Sequence, residues 1–133
     1  MAQYSGKCLC GDVEYEADVA PIWTALCHCE TCKRACSAPV VAWISFKEAS
    51  IKWSGQLSYF KSSEHGTRGF CGKCGSPMSF SSTRWKGQIH LYATSLQNAE
   101  NYKPHLHCYF GEKFDWLGVN DELPKFEASA TLQ

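Results

Sequence analysis

Along the chain, apolar and polar side chains alternate at strand spacing far more than they recur at helical spacing. Val13, Tyr15 and Ala17 interleave with Asp12, Glu14 and Glu16, the two-residue period of a half-buried strand. Residues 40–46 (VVAWISF) form an apolar, β-branched and aromatic run. Residues 51–53 (IKW) and 57–60 (LSYF) flank Ser54-Gly55 like the arms of a hairpin. Residues 78–82, 88–94 and 106–110 predict further strands, and residues 30–35 predict one short helical turn. The pattern therefore predicts an antiparallel, mainly β chain with short connections. No repeat, low-complexity tract or linker interrupts it, so residues 1–133 are expected to form a single domain.

Cysteine changes this picture, because nine of them break into the strand pattern. The start, MAQYSGKCLC, lacks the basic and apolar regions of a secretory signal, and no stretch is long and apolar enough to span a membrane. A cytoplasmic location is expected, where thiols stay reduced, and the odd count also argues for metal over a disulfide framework. Cys71-Gly72-Lys73-Cys74 followed by Gly75 has the make-up of a zinc knuckle. It supplies half a tetrahedron, and Cys8 with Cys10 is the simplest source of the other half. Closing the intervening loop of about sixty residues costs little more than closing a short one, since the entropy grows logarithmically. Cys8, Cys10, Cys71 and Cys74 are thus expected to form a closed, structural zinc site.

Cys27, Cys29 and Cys32 remain, and three thiolates do not complete a tetrahedron. The fourth position could go to His28, Cys36, Cys108, a water or a substrate atom, and spacing alone leaves closed and open sites equally possible. Charge excludes one class of function. With 13 Lys plus Arg against 13 Asp plus Glu, the chain has no basic surplus for phosphate binding, so neither a nucleic acid nor a membrane is an expected partner.

The ordered motifs G-x-C-x-C-G-x-V-x-Y (Gly6 to Tyr15), C-H-C-x-x-C (Cys27 to Cys32) and R-x-F-C-x-x-C-G-S (Arg68 to Ser76) resemble those of the GFA family. That family is named for the glutathione-dependent formaldehyde-activating enzyme and includes centromere-protein-V-like domains. The tail Pro104 to His107, with Lys113, Trp116 and Leu123 to Phe126, follows the same pattern, so the resemblance spans about residues 6–126. It implies an Mss4-like β-tent of coiled antiparallel sheets with two zinc ions per chain. One zinc would sit on Cys8, Cys10, Cys71 and Cys74, and a second on Cys27, Cys29 and Cys32 with its fourth position open. The implied activity is that of a carbon–sulfur lyase or synthase acting on thiol adducts of small aldehydes. The prototype joins glutathione and formaldehyde as S-hydroxymethylglutathione.

Cys36 departs from the pattern, standing where family members often carry Ser or Thr; it is expected to point away from the second zinc. Ser95-Leu96-Gln97 departs too, where a G-S-L-D-like sequence is common. For the proton the reaction must move, His28, Glu30, His90 and His107 are the candidates, with His28 and His107 preferred because they lie in family-like motifs. Lys33, Arg34 or Arg68 could hold substrate carboxylates, and Trp43, Trp53, Trp85 or Trp116 could wall a pocket. The competing reading is a non-catalytic zinc module that binds a protein partner.

Overall fold

A computed structural model describes residues 3–129. Its elements are β1 (Tyr4–Lys7), β2 (Glu14–Ala17), β3 (Trp23–Cys27), α1 (Glu30–Cys36), β4 (Val41–Lys47), β5 (Lys52–Ser54), β6 (Leu57–Lys61), β7 (Gly66–Cys71), β8 (Pro77–Ser82), β9 (Gln88–Tyr92) and β10 (His107–Cys108), joined by short 3-10 turns. The chain is mainly β, as its alternation predicts. It divides into two compact units. The first holds the described residues up to Trp23 together with Ile44–Tyr102; the second holds Thr24–Trp43 and the described residues from Lys103 onward.

In the first unit, β1, β2 and β5 make an antiparallel sheet with β2 at its centre. Its period-2 pattern is realised as expected: Tyr15 and Ala17 are buried, while Glu14 and Glu16 face out. Strands β6, β7, β8 and β9 pair antiparallel in sequence order. Val13, Phe46, Met78 and Leu91 are wholly buried here, each burial contributing about 2 kcal/mol of apolar transfer free energy.

The expected hairpin of residues 51–53 and 57–60 does not form. Strand β5 pairs with β2 and β6 with β7, in different sheets. Trp53 sits opposite Tyr15, with ring centroids 5.5 Å apart, and this aromatic pair ties β5 to β2. Gly55, at φ +85°, turns the chain away, and a Cβ there would fall 2.2 Å from the Asp12 carbonyl oxygen.

In the second unit, β3 pairs with β10 in parallel, with Leu26 opposite His107 and Cys27 opposite Cys108. This departs from the all-antiparallel expectation. Helix α1 follows directly, covering the predicted turn at residues 30–35. The Glu112 carboxylate accepts from the Glu30 N–H at its start (2.8 Å). At its end Ser37 turns left-handed (φ 55°) and the Ala38 N–H returns to the Lys33 carbonyl (3.1 Å), after which Pro39 prevents continuation.

Candidate metal centre

Two loops of the first unit build the tighter cysteine cluster. After β1, the chain folds back so that the Cys8 N–H donates to the Val13 carbonyl (3.0 Å) and the Val13 N–H donates to Cys8 Sγ (3.3 Å). The loop after β7 repeats this logic. The Gly75 N–H donates to the Cys71 carbonyl (2.7 Å), the Cys74 N–H to Cys71 Sγ (3.5 Å), and Gly75 takes the φ of +81° the turn requires. The Leu9 N–H donates to Ser76 Oγ (3.0 Å), joining the two loops.

The result is four sulfurs, those of Cys8, Cys10, Cys71 and Cys74, all within 4.8 Å of one another. Among the described residues this is the one group of three or more such side chains packed so closely. Their acidities diverge, as crowded thiols must. A bond with the Ser76 hydroxyl draws Cys74 down to about 5. The Asp12 backbone bond favours the Cys10 thiolate, but burial and the neighbouring sulfurs outweigh it and push Cys10 up to about 11. Four such sulfurs cannot all be thiolates without a cation between them, so the donor set fits a metal ion of the zinc type.

The second cluster is built by the end of β3 and the start of α1. Cys27 and Cys32 are buried, and Cys29 is partly so. The Cys29 thiol is drawn far below the ordinary range by bonds from Cys27 and Cys32, while its two neighbours are pushed up. The three crowded thiols thus differ sharply in acidity, one favouring its charged form and two their neutral form. Cys108, opposite Cys27 on β10, is the first cause of the rise at Cys27. The Cys36 thiol donates to the Cys32 carbonyl oxygen (3.3 Å).

Beside this cluster lie two wholly buried histidines. His28 Nε2 is 2.9 Å from His107 Nδ1, and His107 Nε2 is 2.8 Å from the Asp121 carboxylate. Burial first, and then the charges of His107 and nearby lysines, bring His28 down to about 4. The Tyr109 phenol is held protonated by burial and then by the charges of Cys29, Cys27, Cys108 and Cys32. Sequence reasoning missed both Asp121 and Tyr109; the only signal for Tyr109 was its place next to Cys108.

The other candidates make contacts of their own. His90 is buried among Trp23, Phe80 and Trp85, which brings it down to about 4 through loss of solvent. Arg68 is also buried, donating to Ser62 Oγ (3.2 Å) with its guanidinium 4.6 Å from the Phe80 ring centroid. Lys33 is buried too, its ammonium donating to the Glu112 carbonyl and lying 3.7 Å from the Phe114 ring centroid. Glu30 meets the exposed Arg34 at 3.4 Å, a pair worth little in water. Trp43 is in the core, whereas Trp116 is 71% exposed and stacks on Phe114 (4.9 Å). These two rings line an open cleft of about 850 Å³ that runs along α1 past Lys33, Arg34 and Pro39.

No helix among the described residues is long and apolar enough to cross a membrane. A crystal structure of a Rhodobacter sphaeroides protein superposes with a TM-score of 0.61 at 16% identity, over 75% of this chain and 97% of that one, which establishes a shared fold. An uncharacterized lyase of Schizosaccharomyces pombe is 31% identical over 101 residues, 76% of this chain and 74% of its own. The family model for the glutathione-dependent formaldehyde-activating enzyme matches residues 3–112. This chain belongs to the glutathione-dependent formaldehyde-activating (GFA) family.

Proposed function

We propose that the protein is a zinc-dependent carbon–sulfur lyase or synthase acting on thiol adducts of small aldehydes, within one domain spanning residues 1–133. Glutathione and formaldehyde, joined as S-hydroxymethylglutathione, are the substrates the family name suggests. In this reading Cys8, Cys10, Cys71 and Cys74 hold a structural zinc, and Cys27, Cys29 and Cys32 hold a second zinc open to substrate. The observation that carries it is the Cys36 thiol, which bonds to the Cys32 carbonyl. In this reading that bond engages Cys36, and the segment contributes three sulfurs, those of Cys27, Cys29 and Cys32.

Zinc at that site would supply a thiolate at neutral pH from a thiol whose free pKa is about 8.5. Adduct formation moves the sulfur lone pair onto the carbonyl carbon and the carbonyl π pair onto oxygen. The thiol loses one proton and the new alkoxide gains one, so a single proton changes place. His28 and His107 form the buried pair best suited to hold it, and the Tyr109 phenol lies where the cluster's charge is felt. Lys33, being engaged with Glu112 and Phe114, orders the wall of the cleft rather than binding a carboxylate. The cytoplasm, where thiols stay reduced, is the location that goes with this reading.

A second reading is favoured by Cys108. Its sulfur bears directly on Cys27 and could complete a closed tetrahedron, making the chain a non-catalytic zinc module for a protein partner. Exchange NMR of glutathione with formaldehyde separates the two. Exchange faster than the uncatalysed rate supports the enzyme, and exchange at that rate with about two zinc per chain supports the module.

A further inference from the structure

His28, His107 and Asp121 form one hydrogen-bonded chain within the second unit. The two rings stack with centroids 5.1 Å apart, and Phe110 sets itself nearly perpendicular to both. At the outer end, Asp121 is anchored through Oδ1, which accepts from Lys125 Nζ and from the Leu123 N–H, each at 3.1 Å. Its Oδ2 is left to face His107 Nε2 at 2.8 Å.

Hydrogen counting gives this chain a direction. A carboxylate only accepts, so His107 Nε2 carries the hydrogen it donates to Asp121. A neutral imidazole has one N–H, so His107 Nδ1 carries a lone pair and accepts. The hydrogen in the 2.9 Å bond between the rings therefore belongs to His28 Nε2. The same count at His28 leaves Nδ1 bare, and this atom is buried with no hydrogen-bond partner among the described residues. An imidazolium at His107 would reverse the inner bond and strand an N–H at that buried position, a costlier arrangement.

We propose that Asp121 is a positioning residue: acting through His107, it fixes His28 as the Nε2–H tautomer with Nδ1 bare. Its bearing on exchange rests on the reading of Cys27, Cys29 and Cys32 given above, since His28 is covalently held between Cys27 and Cys29. Asp121 itself lies beyond residues 3–112, where the family model matches.

Long-range proton–nitrogen correlation NMR of the zinc-loaded, 15N-histidine-labelled protein reads the tautomers directly. The wild type should show His28 protonated at Nε2 and bare at Nδ1, and Asp121→Ala should redistribute that hydrogen between the two nitrogens. In Asp121→Ala, kcat for exchange should fall about 10- to 100-fold with KM and zinc content little changed, as for loss of an outer-shell partner. Asp121→Glu should restore part of both. A hydrogen on His28 Nδ1 in the wild type overturns the proposal, as does an unchanged His28 tautomer in Asp121→Ala. If Asp121→Ala does not fold, the wild-type tautomer decides alone. Absence of exchange in the wild type would remove the proposed reaction, while the ring nitrogens would still decide whether Asp121 positions His28.

Discussion

Cys108 lies directly opposite Cys27 in the parallel pairing of β10 with β3, and its carbonyl accepts the N–H of His28 (3.0 Å). Cys108 is also the first cause of the rise in the Cys27 thiol. If the second site is open, Cys108 is a packed thiol and Cys108→Ala should retain both zinc ions, with exchange changed by less than about tenfold, or 1.4 kcal/mol. Loss of one zinc per chain from Cys108→Ala, measured by atomic emission, would identify it as the fourth ligand and favour the interaction module.

Cys36→Ser tests the neighbouring sulfur. Its thiol bonds to the backbone four residues earlier in α1, a bond that a serine hydroxyl can also make. Zinc content should be unchanged and stability should move by no more than about 1 kcal/mol in denaturant titration. A lost zinc would show that Cys36 reaches the ion.

The four-sulfur cluster makes a larger demand. Zinc binding of this kind carries about 10–16 kcal/mol of apparent free energy, comparable to the whole stability of a small domain. Cys71→Ser should therefore lose one zinc and unfold the first unit, seen as collapse of the near-ultraviolet circular dichroism. A chelator should do the same to the wild type. A folded Cys71→Ser variant with both metals bound would contradict this assignment.

Tyr15 provides a prediction at alkaline pH. Burial pushes its phenol up to about 12, against a smaller lowering by Ser95, whose hydroxyl lies 2.7 Å away. Because the folded state favours the neutral phenol, its contribution is complete below the unfolded value of about 10. That contribution is then lost as pH rises from 10 through 12. Tyr15→Phe should cost about 1 kcal/mol at neutral pH and flatten the stability profile across that alkaline window. Equal alkaline slopes for the two proteins would show that Tyr15 does not carry the effect.

Much of this arrangement was legible from local pattern. Alternation marked β2, the apolar run marked β4, and the short helix at Glu30 emerged because no strand pattern covers it. The grouping of Cys8, Cys10, Cys71 and Cys74 followed from two close pairs that each supply half a coordination shell. What escaped was set by distant partners. Trp53 reads as a hairpin arm until Tyr15 is seen opposite it, and no local period reveals that β3 and β10 run parallel. That parallel pairing brings His107 to His28 and Cys108 to Cys27. Asp121 is one of several acidic residues in an irregular tail, next to Glu122, so only its distance to His107 distinguishes it.

In the proposed function, Cys27, Cys29 and Cys32 hold a zinc open to a thiol substrate. Exchange NMR of glutathione and formaldehyde, run with wild type and Cys29→Ser at matched occupancy of the four-sulfur site, tests it most directly. Exchange well above the uncatalysed rate is expected for wild type and a fall of at least about 100-fold for Cys29→Ser, since the variant loses one of the three sulfurs that would hold the zinc. Equal exchange rates for the two proteins would contradict it.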